Sequence, residues 1–137
     1  MLHLRRISYV VHVKPENKLV THIVRKSMMS TSKAFELMHM DLFGPTTYTS
    51  IGGNKYEFVI VDDFTRYTWV FFLVDKSDVF ATFKSFVKGI HNEFETTIKK
   101  VRSDNGSEFK NTRIDELCDE FRIRHQFSAK YTLNQIG

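Results

Sequence analysis

Between Asp78 and Phe94 the apolar residues Phe80, Phe83, Val87, Ile90 and Phe94 recur at steps of three and four. That spacing is one stripe along an α-helix and not the alternation of a strand. Ser77 is placed to cap the first turn, with the carboxylate of Asp78 near the positive helix end. A helix with a single apolar stripe gains its stability from whatever covers the stripe, so the chain must supply an apolar surface. Its strand signals supply one. Leu37 to Phe43 is a short apolar run stopped by Gly44-Pro45, and Tyr56 to Val61 and Tyr67 to Val74 are rich in β-branched and aromatic residues. The last two flank Asp62-Asp63-Phe64-Thr65-Arg66, which fits a hairpin, with a turn at Gly52-Gly53-Asn54 ahead of it. Ile98 to Arg102 alternates apolar and basic residues until Ser103-Asp104-Asn105-Gly106 breaks it. A second amphipathic helix runs from about Thr112 to Phe121, with Ile114, Leu117, Cys118 and Phe121 on one side, and Ile123 to Phe127 reads as a final strand.

Three strands, a helix, a strand, a helix and a strand make an α/β domain with a mixed sheet, the first three strands antiparallel and the later two reached by helical crossovers. The 137 residues suit one such domain. The longest apolar run, Trp69 to Val74, is six residues against the roughly 20 of a bilayer-spanning helix, so no membrane partner is expected. Cys118 is the single cysteine, which excludes an internal disulfide and any Cys-x-x-Cys metal knuckle. Its place on the apolar side of a helix suits a small hydrophobe.

The net charge of +4 is unevenly spread. Residues 1–36 hold seven Lys/Arg and two acids, leaving 13 basic and 14 acidic groups in residues 37–137. The first segment lacks a sustained period and ends in the polar stretch 27–33, so residues 1–32 read as a basic arm and residues 33–137 as the folded core. Bulk charge then carries no argument for a polyanion partner, because that attraction needs cations clustered on one face.

Two aspartates stand where chemistry collects in such a sheet. Asp41 lies on the first strand just before the Gly-Pro stop, and Asp104 lies at the end of the fourth, where ligands gather outside strand ends. Paired carboxylates suit hard divalent cations, including the two-metal sites that act on phosphodiesters. Asp-Asn-Gly is equally a turn in its own right, and an Asp before Gly-Pro equally closes a strand. The pattern alone leaves both readings open.

At these residues the chain resembles a known family. The segments ELMHMDLFGP (36–45), YEFVIVDDFTRYTW (56–69), VRSDNGSEF (101–109) and IRHQFSA (123–129) closely resemble, in order and at natural spacing, the integrase core of copia-type retrotransposons. The resemblance covers about residues 27–137. It implies a ribonuclease H-like fold: a mixed five-stranded sheet with flanking helices, the C-terminal helix missing from this chain. It also implies metal-dependent end processing and strand transfer on DNA, with Mg²⁺ or Mn²⁺ held by an Asp, Asp, Glu triad. Asp41 matches the first carboxylate and Asp104 the second. The family's spacing sets the Glu three places beyond Gly137, and residues 131–137 resemble the loop before its helix, with Leu133 where the family usually has Pro and Ile136 where it usually has Asn. Two of three carboxylates leave the ions under-coordinated, so a fragment inactive as written is the expectation.

Asp62 and Asp63 read as hairpin residues and Glu108 as exposed, not as substitutes for the missing Glu. His39, beside Asp41, reads as a strand histidine with a satisfied ring, and His91 and His125 as surface or sheet-edge residues. Relatives carry a His/Cys zinc knuckle ahead of the core; here His3, His12 and His22 lack paired cysteines, so the arm is a degenerate remnant and no zinc is expected. The implied partners are DNA at element ends and target, contacted by Lys99, Lys100, Arg102 and Lys110 around the carboxylates, and further copies in a homo-oligomer. A working enzyme would act in the nucleus. The alternative is a non-catalytic remnant that binds nucleic acid or protein through the arm and those cations.

Overall fold

The computed structural model describes residues 10–12, 31–45, 53 and 55–128. The mixed five-stranded sheet is present, and a sixth short strand extends it. The strands are β1 (Val10–His12), β2 (Leu37–Phe43), β3 (Tyr56–Asp62), β4 (Thr68–Leu73), β5 (Lys100–Ser103) and β6 (Arg124–Phe127), in spatial order β1-β4-β3-β2-β5-β6. β2, β3 and β4 form an antiparallel meander, whereas β5 joins β2 in parallel and β6 joins β5 in parallel. Helix α1 (Val79–Phe94) crosses from β4 to β5, and α2 (Thr112–Phe121) crosses from β5 to β6. β2 is therefore the hinge of the topology, antiparallel to one neighbour and parallel to the other.

Strand alternation sorts the side chains. Met38 and Met40 of β2, Phe58 and Ile60 of β3, Phe71 and Leu73 of β4 and Val101 of β5 face the helices and pack in one core with Phe83, Phe86, Val87 and Ile90 of α1 and Ile114, Leu117 and Cys118 of α2. Val59, Val61 and Val70 form a smaller cluster on the other face with Phe43 and Phe72. Cys118 is buried in the core. Burial, followed by the charges of Asp115 and Asp119, pushes its thiol up to about 11, so it packs and does not react.

Several local expectations are corrected. The turn ahead of α1 is capped by Asp75, two residues before Ser77: Asp75 Oδ1 accepts from Ser77 N at 2.9 Å, and Asp78 reaches back to Asp75 N at 3.2 Å. This capping box encloses a 3₁₀ turn (Lys76–Asp78) that leads into the helix. The buried face of α1 is also turned from the expected stripe, since Val79 and Phe86 are buried while Phe94 is 51% exposed and rests against the Phe35 ring at 5.1 Å. Within the segment read as an arm, Val10–His12 pairs with β4, Val10 opposite Phe71 and His12 opposite Trp69. Pairing there closes what would otherwise be the open edge of an apolar strand. Of the turn at 52–54, Gly53 is described, with φ of +80°; Gly52 and Asn54, like the rest of the arm and residues 129–137, lie outside the described residues.

Gly44 ends β2 at φ of +123°, and a Cβ there would lie 2.6 Å from Lys55 O. Only glycine allows the chain to leave β2 so close to the start of β3. The turn that stops the strand thus also fixes where Asp41 stands, three residues earlier.

Candidate active site

β2 and β5 run in register from Leu37 opposite Lys100 to His39 opposite Arg102. Carried two residues on, that register sets Asp41 opposite Asp104, which follows directly on β5. Neighbouring strands lie about 4.8 Å apart, so the two residues stand at the carboxyl end of the parallel pair. Both residues are partly exposed. Asp41 Oδ1 accepts from Leu42 N at 2.8 Å and Asp104 Oδ1 from Gly106 N at 2.9 Å. These local bonds orient the acids without burying them, which leaves oxygen donors at the surface suited to a hard cation.

The loop after Asp104 brings a third acid close. Phe109 N and Lys110 N both donate to Gly106 O, at 2.9 and 2.8 Å, so the chain makes one helical turn. A Cβ on Gly106 would lie 2.9 Å from each carboxylate oxygen of Glu108 and 3.1 Å from Asp104 Oδ1, so both acids are held against the same glycine. Glu108 is not the exposed residue expected: its side chain is 13% accessible and pairs with Lys76 Nζ at 3.8 Å. The signal was its place four residues after Asp104, the spacing that one helical turn brings together. Among the described residues no three His, Cys, Asp or Glu gather as a metal-holding group.

At the opposite end of β2, Asp62 and Asp63 are hairpin residues as expected, and both are fully buried. Asp62 accepts from Phe35 N at 2.9 Å and from Thr65 N and Oγ1 at 2.9 and 2.7 Å. Asp63 Oδ1 lies 2.8 Å from His39 Nε2, and its Oδ2 accepts from Thr31 Oγ1 at 3.0 Å. With the Asp63 oxygen as the acceptor, Nε2 is the ring nitrogen that carries the proton. Burial holds the His39 pKa below its ordinary value, against the opposing pull of Asp63. His39 is thus the satisfied strand histidine, tied away from Asp41.

His125 is half-buried on β6, with Nε2 2.8 Å from Ser103 Oγ and with Nδ1 buried and unpartnered among the described residues. Burial lowers its pKa, because a second N–H would face no acceptor. The folded state therefore keeps the ring neutral while the unfolded chain takes a proton below about pH 6.5. Stability from this group is complete above that pH and is lost as pH falls toward the depressed folded value. Thermal unfolding of the wild type should decline more steeply between pH 7.5 and 5.5 than that of His125→Gln; parallel declines would refute the assignment.

The four cations expected around the carboxylates do not form one patch. Lys110 lies near the carboxyl end, its Nζ 5.5 Å from the Phe127 ring. Arg102 turns toward β6, donating to Gln126 Oε1 at 3.0 Å. Lys99 and Lys100 sit at the amino end of β5, with the full strand between them and Asp104.

This arrangement has counterparts. Residues 31–132 match the family model described as integrase core domain. The chain is 37% identical over 102 residues, 74% of its length, to the retrovirus-related Pol polyprotein from transposon TNT 1-94 of Nicotiana tabacum. It is 40% identical over 111 residues, 81% of its length, to that from transposon RE2 of Arabidopsis thaliana. It spans 8% and 7% of those relatives. Among solved structures, the HTLV-2 integrase catalytic core domain in complex with magnesium (trimeric form) superposes with a TM-score of 0.53 at 20% identity, covering 68% of this chain and 59% of that one.

Proposed function

Because the chain belongs to the integrase core domain family, we propose that it is a piece of a copia-type retrotransposon integrase whose chemistry is metal-dependent strand transfer on DNA. What supports this reading is the β2–β5 register, Leu37 opposite Lys100 to His39 opposite Arg102, which carried two residues on would set Asp41 opposite Asp104. Hard carboxylate oxygens at a solvent-facing strand end fit Mg²⁺ or Mn²⁺, and the magnesium in the HTLV-2 neighbour agrees with that choice. When bound, the metal would supply Lewis acidity toward a phosphodiester. Asp41 and Asp104 would hold and orient it, and the local bonds from Leu42 N and Gly106 N fix the direction in which each acid presents its oxygens.

Two such acids bind a cation weakly, and the 137 residues by themselves are expected to be inactive. Mn²⁺ titration followed by water-proton relaxation should find one weak site, in the millimolar range of sparsely liganded hard-cation sites, that disappears in Asp41→Asn and in Asp104→Asn. A site that survives both changes would rule out these ligands. With Mn²⁺ and a labelled element-end duplex, the chain should give no strand transfer. Appending a helix that carries a Glu at the family spacing should restore it, and Asp41→Asn in that longer protein should abolish it. Robust transfer by the 137-residue chain alone would overturn the inactive reading.

A further inference from the structure

We propose that the cleft at the amino end of β5 and β6 is a docking site for the phosphate backbone of a nucleic acid, separate from the carboxylates at the other end of the same strands. Lys99, Lys100, Arg122 and Arg124 line this cleft of ≈ 450 Å³. None of the four pairs with a carboxylate among the described residues. Glu36, the acid in the lining, accepts from Ser32 N through Oε1 at 2.7 Å and keeps its charge, so the lining holds four cations to one anion. That backbone bond, ahead of other causes, lowers its pKa. Since residues 37–137 are close to neutral overall, four cations in one place, none paired with a carboxylate among the described residues, are a concentration and not a background.

Two features of the cluster run against local stability. Lys100 and Arg124 are direct register partners on adjacent strands, and like charges placed opposite one another repel. Arg122 closes α2 in the left-handed region at φ of 57°, where glycine is the favoured residue. Capping the helix does not explain the arginines, because the last carbonyls of α2 take backbone donors: Arg122 N bonds Asp119 O at 3.2 Å and Ile123 N bonds Cys118 O at 2.8 Å. The repulsion kept at a cleft points to an anion outside the chain that relieves it; the left-handed cap, shared with Glu95 at the end of α1 at φ of 53°, does not.

The chemistry selects a phosphate backbone over an acidic protein. Arg forks and Lys point charges match phosphate oxygens. A protein partner draws most of its affinity from apolar and aromatic anchors. The apolar residue in the lining, Leu37, is only 4% exposed.

The test uses the 137-residue chain and a fluorescein-labelled random-sequence 30-base-pair duplex, with EDTA present so that metal sites play no part. Anisotropy across a NaCl series should show binding that weakens steeply with salt. The variant Lys99→Gln, Lys100→Gln, Arg122→Gly, Arg124→Gln should bind at least 10-fold more weakly at 50 mM NaCl, its log–log salt slope shallower by up to about 3.6, near 0.9 for each of the four lost phosphate contacts. Arg122→Gly alone should weaken binding while raising Tm. In the unaltered protein the duplex should protect Lys99 and Lys100 from acetylation and leave Lys88, exposed on α1, reactive. Equal affinity and slope for the quadruple variant, or no protection of Lys99 and Lys100, would overturn the proposal. So would tighter binding of a poly-glutamate peptide of equal charge, which would assign the cleft to an acidic protein. Asp41→Asn should leave this binding intact while removing the Mn²⁺ site, so either assignment can fail without the other.

Discussion

Phe109→Ala should cost about 3–5 kcal/mol, the range for emptying a fully buried phenylalanine site. The ring is inaccessible to solvent and packs 5.9 Å from Phe58, which in turn lies 6.0 Å from Phe71. Phe109 is the point at which the loop after Asp104 is nailed to the core, so its loss acts twice. The hole removes packing from β3 and β4, and the turn that carries Asp104, Gly106 and Glu108 loses its anchor. Against a total stability of about 5–15 kcal/mol, the variant should unfold at a much lower urea midpoint with m unchanged. Hydrogen exchange at residues 104–110 should rise more than elsewhere in the folded fraction. A midpoint shift worth less than about 1 kcal/mol would mean that the surroundings collapse into the hole and that the loop is held by other contacts.

Asp63→Ala should be nearly as damaging, for a polar reason. Asp63 is wholly buried and serves His39 Nε2 at 2.8 Å and Thr31 Oγ1 at 3.0 Å, with Arg66 Nη1 at 3.9 Å. Removing the carboxylate strands two donors at once, each costing about 1–3 kcal/mol when left unpaired away from water, for a loss of about 2–6 kcal/mol. Asp63→Asn keeps one acceptor of the same shape and should recover part of it. Urea melts of the two variants separate the effects. Equal stability of Ala and Asn would show that the site takes up water and that the hydrogen bonds are not what holds the hairpin to β2. Because Asp63 stands at the end of β2 away from Asp41, Mn²⁺ affinity of the folded Asn variant should stay unchanged.

Much of the fold was legible in the sequence because its elements carry strong periodic signals. Helix α2 spans Thr112–Phe121 as read, since Asn111 caps it through Ile114 N and its apolar residues keep one side. Asp41 and Asp104 could be read as candidates for one site because each stands where its strand stops, before Gly-Pro and at Asp-Asn-Gly, and a fourth strand joining an antiparallel set can bring such ends together. What escaped notice depends on tertiary context. Asp75 competes with Ser77 for the same cap, and the outcome turns on Asp78 bonding backward. Polar Asp62 and Asp63 look like solvated turn residues until Phe35 N, Thr31 and His39 arrive from segments 24 to 32 positions away to satisfy them. Three residues of the basic arm became a strand through β4's open edge, a demand that lies outside their own composition.

The parallel seam between β2 and β5 also dictates an order of assembly. Met38 meets Asp62 and Tyr56 meets Leu73 across short connections, so the antiparallel meander can form from chain already at hand. Met38 meets Val101 only after α1 has been laid across the sheet. Contacts between residues so distant in the chain form slowly, because loop closure must precede them. A chain emerging at about 5–20 residues per second presents Asp41 seconds before its counterpart exists. The strand end that leads to Asp104 therefore reaches β2 late, by hydrophobic closure of the seam. Lesions along that seam should therefore detach β5 and the loop that carries Asp104 while the meander still folds.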